Sequence, residues 1–321
     1  MNKPFLAALL LLGVVLLAFG LGPLLLRKPA ERPNVVFILI DTLRADRLHA
    51  QRNGVPVMPY LSRFAAQSVV FTHAVSPCSW TRPAMASLFT SRSVDAHQVY
   101  YSSAEGRGDV LAEGWETLAE YLAAHGYDTL GFVTNGNIQE VFGFGQGFAP
   151  GRYTFVDQAP ASDVTDHLLG RLGELEPPFY VYAHYNDPHV PYEPPAPHFE
   201  VFGPLPKVAV DDAGVFASSE AFMAFYMDRV RYFLGLIDAP TLPMLSEAGQ
   251  ERVWTLYDGE CHFADAEAGR LIDAIRAAHP NTIFVVMADH GEEFWERGGM
   301  GHGTSLYEEQ LVVPMLLQGP G

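Results

Sequence analysis

Apolar runs of strand length recur along the chain, and three of them give way to acids and histidines that can carry chemistry. Residues 35–40 (Val-Val-Phe-Ile-Leu-Ile) end at Asp41. Residues 129–133 end near Asn135, and residues 179–184 lead into Asp187-Pro-His189. Residues 282–288 (Thr-Ile-Phe-Val-Val-Met-Ala) end at Asp289-His290-Gly291. A last strand is expected over 311–317. The intervening segments read as helices: 58–67, 80–91 after its loop start, 115–125, 163–175 and 247–278. Pro83 suits a helix start, because its fixed backbone angle is already helical and the missing N–H has no partner there. In the longest helix, Val253, Leu256, Tyr257, Ala264, Ala268, Leu271, Ile272 and Ile275 fall on one stripe. Residues 194–207 are proline-rich and read as a surface insertion, and no internal repeat is present. Strands alternating with helices predict an α/β fold with a mostly parallel central sheet and helices on both faces. Such open sheets hold ligands at the carboxyl ends of their strands, which is where the acids and histidines fall.

The N-terminus departs from this pattern. Residues 4–26 are apolar throughout, long enough to span a bilayer as a helix. Lys3 precedes them, Arg27 and Lys28 follow, and no clear cleavage motif appears. The division expected is therefore a signal anchor or transmembrane helix over residues 1–28, then a catalytic domain over residues 29–321. Arg27, Lys28 and Arg32 pull the distal flank toward the cytoplasm under the positive-inside rule.

With 321 residues, 49% of them hydrophobic and 18% charged, the chain can bury a large core. A formal charge of −17 argues against a nucleic-acid partner, which would need a basic face. An anionic substrate stays open, because a bound cation inverts the local field. Cys78 and Cys261 do not make a disulfide framework.

An Asp-His pair at one strand end is ordinarily a turn or a cap. Repeated at three strand ends, as Asp41, Asp187/His189 and Asp289/His290, it suggests a divalent-metal site built from oxygen and nitrogen donors. His302, between Gly301 and Gly303, adds a histidine on a tight loop. Cys261-His262 is a weaker pair, because adjacent residues on a helix point in different directions.

Five segments, in order, resemble the sulfatase family of the alkaline phosphatase superfamily. They are Arg32-Pro-Asn-Val-Val-Phe-Ile-Leu-Ile-Asp41, residues 77–91, Asp187-Pro-His-Val-Pro-Tyr192, Asp289-His-Gly-Glu-Glu-Phe294, and Gly301-His-Gly303 through Leu306-Tyr-Glu308. The resemblance implies a metal-dependent enzyme acting on sulfate or phosphate esters. It also implies a catalytic domain outside the cytoplasm, periplasmic or at the cell surface, against the flanking-charge argument. Many sulfatases carry Cys-x-Pro-Ser-Arg, with the Cys matured to formylglycine, and a Thr nine residues after it. Here Thr90 lies nine residues after Thr81 and twelve after Cys78, and Pro83 stands two after Thr81. Thr81 therefore matches the nucleophile, as in the resembling phosphoethanolamine transferases and lipoteichoic acid synthases. The family's motif Arg falls on Met85, leaving Arg82 or Arg44 as substitutes.

A formylglycine hydrate expels sulfate by collapsing to the aldehyde. Threonine has one hydroxyl, so its ester must be broken by water or an acceptor, which suits phosphoryl transfer. The expected metal ligands are Asp41, Thr81, Asp289 and His290, with Thr81, His189 and His302 catalytic. Thr42 stands where the family has a second Asp, which weakens a calcium site and favours Zn²⁺, with Mn²⁺, Mg²⁺ or Ca²⁺ as alternatives. The expected substrate is an anionic ester, of a lipid or an envelope glycan. Two readings compete: a conventional sulfatase using Cys78 as formylglycine, and a non-catalytic membrane-anchored binding protein. Family members continue past Gly319-Pro-Gly321, so the usual C-terminal extension is expected to be lacking.

Overall fold

The computed structural model describes residues 31–101 and 109–320. The expected membrane helix lies outside them, and among the described residues no helix is long and apolar enough to cross a membrane. Seven strands form the main sheet: β1 (Asn34–Ile40), β2 (Val69–Val70), β3 (Asp128–Val133), β4 (Tyr153–Phe155), β5 (Phe179–Tyr185), β6 (Thr282–Met287) and β7 (Met315–Gln318). The longer helices are α1 (Pro59–Ala65), α2 (Thr81–Thr90), α3 (Leu118–Ala124), α4 (Ala161–Arg171), α5 (Ser219–Phe233) and α6 (Glu247–Ala278).

The strand order is β2-β7-β6-β1-β5-β3-β4. Strand β1 pairs in parallel with β5 and β6, and β3 pairs in parallel with β5 and β4. Only β7 and β2, at one edge, add antiparallel pairings. The mostly parallel sheet and its helix-covered faces are thus observed.

Local chemistry sets several boundaries. Helix α3 begins at Leu118 rather than near 115, because Thr117 and Glu120 form a reciprocal capping box. Helix α6 has the expected bounds, its first turn capped by Ser246 through the Gly249 N–H. The expected strand over 311–317 is divided at Pro314, which has no N–H for a ladder. Val312–Val313 pairs with Ala74–Val75, and β7 pairs with β6. Helix α5 was not among the expected elements.

Alternation along the strands sorts their side chains to two faces. Val36, Ile38, Ile40, Val181, Ala183, Tyr185, Phe284 and Val286 join the core under α1, α4 and α6. Phe37, Leu39, Tyr180, Tyr182 and Val133 join a second core with Met85, Ala86 and Phe89 of α2. Each face buries its own apolar set, which fixes the register of every strand.

Candidate active site

Continuing the same alternation to the strand ends and past them places the chemistry. Asp41 is two residues beyond Leu39, His184 two beyond Tyr182, Asn135 two beyond Val133, and Asp289 two beyond Met287. All four therefore fall on the α2 face. The register of β1 against β6 sets Leu39 opposite Met287, which brings Asp41 beside Asp289. Thr42, in the left-handed region at φ 56°, turns the chain there and points its N–H at Asp289 Oδ1, 3.3 Å away.

Thr81 reaches this rim as the first residue of α2, with Trp80 as N-cap. No side chain caps that end of the helix. The Thr81 hydroxyl instead lies 3.3 Å from His290 Nε2 and 3.4 Å from Asn135 Nδ2. Asn135 Nδ2 also donates to Asp41 Oδ2 at 2.6 Å. His290 Nδ1 is 2.9 Å from the Gly291 carbonyl, so the proton sits on Nδ1 and the Nε2 lone pair faces the cluster. That Nε2 is 3.4 Å from Asp289 Oδ2 and 3.7 Å from Asp41 Oδ1.

Donor atoms of Asp41, Asp289 and His290 all lie within 4.8 Å of one another. Asp41 Oδ1 and Asp289 Oδ2 are buried and accept no hydrogen bond. Such bare oxygens are costly unless a cation meets them, so these residues fit a divalent metal. Burial, and next the charge of Asp289, push the Asp41 carboxyl well above the usual carboxylate range. Burial lowers the His290 pKa.

Three further histidines surround the group. His184 is fully buried, with Nε2 3.5 Å from Asp41 Oδ2 and no hydrogen-bond partner on either nitrogen. The ring centroid of His302 lies 4.6 Å from that of His290 and 4.9 Å from that of His189. Burial pushes His184, His189 and His302 each down to about 4. His189 Nδ1 is tied to the Val190 carbonyl at 2.8 Å, and His302 Nδ1 to Glu292 Oε2 at 3.1 Å. Burial raises the Glu292 carboxyl to about 7.

The structure thus gathers Asp41, Thr81, Asp289, His290, His189 and His302 on one rim. It does not bring Asp187 there. Asp187 is two residues beyond Tyr185, so it turns to the opposite face, where its Oδ2 accepts from the Ala161 N–H at 2.8 Å. Neither substitute arginine bonds Asp41, Thr81, Asp289 or His290. Arg44 is paired with Asp46 and Glu296 and donates to the Glu292 backbone carbonyl at 2.8 Å. Arg82 packs over Phe142 and points at the Tyr101 and Asp109 carbonyls. Met85 is buried in the core beneath α2. Cys261 is buried, and His262 Nδ1 bonds His198 Nδ1 at 2.9 Å. Asn135, His184 and Glu292 join the site without having been singled out from sequence. The alternation past the strand end would have found the first two.

Comparison with known proteins identifies the family. The profile of the Sulfatase family matches residues 33–321. A curated sulfatase of Formosa agariphila is 25% identical over 347 residues, covering 92% of this chain and 65% of that protein. The chain thus spans just under two thirds of that relative. Among solved structures, a phosphonate monoester hydrolase from Silicibacter pomeroyi aligns with TM-score 0.63 at 20% identity, covering 90% of this chain and 68% of that one. The C-terminal periplasmic domain of EptC from Escherichia coli, in complex with Zn, aligns with TM-score 0.62 at 14% identity, covering 92% and 74%. At those identities the two structures speak for the fold.

Proposed function

The chain belongs to the sulfatase family, and from that premise we propose that it is a metal-dependent enzyme that cleaves or transfers phosphodiester-type esters through a covalent Thr81 intermediate. One observation carries the reading: the Thr81 hydroxyl, at the start of α2, lies within 3.4 Å of both His290 Nε2 and Asn135 Nδ2. A helix N-terminus also favours the anionic group being transferred.

Asp41, Asp289 and His290, with the Thr81 hydroxyl, would hold the cation. When bound, a divalent metal acidifies that hydroxyl and neutralises charge on the transferred group. Zn²⁺ suits this mixed set of oxygen and nitrogen donors best. Thr81 Oγ1 attacks the phosphorus in line, its proton passes through water to Nε2 of His189 or His302, and the bond to the departing alkoxide breaks. Asn135 Nδ2 donates to a non-bridging oxygen, and the imidazolium so formed gives its Nε2 proton to the leaving oxygen. Water or an acceptor alcohol then attacks the phosphorus and releases Thr81.

Charge narrows the substrate. Among the described residues, no lysine or arginine bonds the side chains of Asp41, Thr81, Asp289 or His290. Two carboxylates balance a divalent cation, leaving no surplus positive charge for a dianionic phosphate monoester. A monoanionic ester fits better, which means a phosphodiester or a sulfate ester. The single hydroxyl of Thr81 then favours phosphorus, as argued from sequence. A cavity of about 430 Å³ lined by Ala84, Leu88, Met287, Asp289 and Met315 borders the site, which suits an ester with an apolar portion. The apolar segment 4–26 would anchor the enzyme to a membrane, with the site on its outer side.

The test pairs mass spectrometry with parallel assays. Protein trapped with an aryl phosphodiester should carry the added mass on Thr81. Turnover should be faster on the phosphodiester than on the aryl sulfate or the aryl phosphate monoester. A clear preference for the sulfate with Thr81 intact defeats the phosphorus reading.

A further inference from the structure

Three histidines line the reaction side of the site, and each has its Nδ1 tied to an acceptor. For His290 and His189 the acceptor is a backbone carbonyl, of Gly291 and Val190. For His302 it is a side chain. Glu292 is fully buried, and its Oε2 and Oε1 lie 3.1 and 3.2 Å from His302 Nδ1. The Tyr226 hydroxyl lies 3.4 Å from Glu292 Oε1 and 3.2 Å from His302 Nδ1. Its one proton goes to the carboxylate, leaving the phenol oxygen as a second acceptor for the imidazole.

The loop is built to keep this trio together. Gly301 adopts φ +108°, and a Cβ there would come within 2.8 Å of the Tyr226 hydroxyl. The missing side chain lets the tyrosine lie against the loop that carries His302. Glu292 is also held by the turn that follows His290, because the Gly291 N–H bonds the Gln310 carbonyl at 2.8 Å. Nothing in the chemistry described so far uses Glu292.

We propose that Glu292 is a positioning residue for His302: its carboxylate accepts the Nδ1–H, fixes that tautomer, and so aims Nε2 at the ester. Two backbone carbonyls perform this service for His290 and His189, but a carbonyl cannot be replaced by mutation and carries no full charge. Glu292 can be replaced, so its role can be tested directly. Glu292 itself touches neither the metal ligands' donor atoms nor the reacting oxygen. The task assigned to His302 rests on the function proposed above, whereas its tautomer does not.

The experiment reads both separately. Long-range ¹H–¹⁵N spectra of the ¹⁵N-histidine-labelled full chain, with and without Zn²⁺, report the tautomer of each imidazole. The His302 signal is the one lost in His302→Asn. In the parent protein His302 should be the Nδ1–H tautomer. In Glu292→Gln the amide oxygen stays with the Tyr226 donor, so the NH₂ group faces His302 and forces the Nε2–H tautomer. Its kcat should fall about 10²- to 10⁴-fold with little change in KM, the scale of a histidine held in the wrong tautomer. Glu292→Asp keeps a carboxylate, so it should keep the Nδ1–H tautomer and recover part of that loss. An Nε2–H tautomer in the parent overturns the proposal even if neither variant folds. So does a Glu292→Gln protein that loses turnover with its His302 tautomer unchanged. If the parent turns over no ester while the spectra come out as expected, the functional reading fails and the positioning role stands.

Discussion

Two pairs of buried carboxylates sit at the same edge of the sheet, and they have opposite fates. At one corner, Asp41 and Asp289 face each other with one bare oxygen apiece. At the other, Asp187 and Glu260 lie side by side, and Glu260 Oε2 is bare as well. There Asp187 Oδ2 holds the first N–H of α4, from Ala161, and Glu260 Oε1 holds the Glu193 N–H. Both corners follow parallel strands, and both include an acid from a strand end. The difference is one of parity. Asp41 and Asp289 continue the alternation that faces α2, and meet Thr81 and the histidines. Asp187 continues the one that faces α4 and α6, and meets backbone N–H groups. Being at the carboxyl end of a strand makes an acid available; the face it occupies decides whether it is chemistry or scaffold.

The largest expected effect tests that division directly. Asp289→Asn should empty the site of metal, read by elemental analysis, and lower turnover by a factor on the order of 10³ or more, because the cation and the nucleophile act as a unit. Asp187→Ala should keep its metal and its turnover within about tenfold, and lose about 1–2 kcal/mol of stability from the unanswered N–H at the start of α4. Metal lost from Asp187→Ala would break the comparison.

A smaller effect separates the corners by pH. Burial holds the Glu260 carboxyl well above the usual range. A folded-state pKa above the unfolded one means that this group's stabilisation is full below the unfolded value of 4.5. It is lost as pH rises through the folded value. Glu260→Gln stays neutral and keeps an acceptor for the Glu193 N–H. Its melting temperature should match the parent near pH 4 and exceed it at pH 8, by the equivalent of about 1 kcal/mol or more. Added Zn²⁺ should stabilise parent and variant equally, since the proposed metal site is the other corner and distant sites add. A zinc effect that shrinks in Glu260→Gln would mean the corners are coupled.

Much of this is legible in the sequence. The apolar runs gave the strands and the parallel sheet, and helix α6 fell within its observed bounds. The Thr90 register pointed to Thr81, which is where the chain meets His290. Four features were hidden, each for a physical reason. Asp187 was grouped with the other strand-end acids because the alternation was not carried past Tyr185. Asn135 and His184 carry no motif, yet the same alternation delivers them to the rim. Glu292 is adjacent to Glu293, and only tertiary contacts distinguish the two: Glu292 meets His302, while Glu293 Oε1 and Oε2 answer the Gly299 N–H and Gln310 Nε2. Helix α5 escaped because its buried Phe222, Phe225 and Tyr226 are residues that strands favour equally.

The smallest expected effect bears on the nucleophile. Cys78 and Thr81 lie three residues apart, on either side of the boundary where α2 begins. Thr81 is the first helical residue and is fixed by the helix against His290 and Asn135. Cys78 lies in the preceding loop, where the Ser76 hydroxyl holds its carbonyl at 2.7 Å. Burial raises the Cys78 thiol above its ordinary value, which keeps it protonated and a poor nucleophile. Cys78→Ala should therefore leave turnover on an aryl phosphodiester within about twofold and change stability by less than about 1 kcal/mol. Thr81→Ala should remove turnover and the trapped adduct together. A conventional sulfatase predicts the reverse order, because formylglycine can form only from the cysteine. Loss of activity in Cys78→Ala, with an aldehyde found at position 78 of the parent, would return the nucleophile to the cysteine. The contacts of Thr81 would then be those of a residue that merely lines the site.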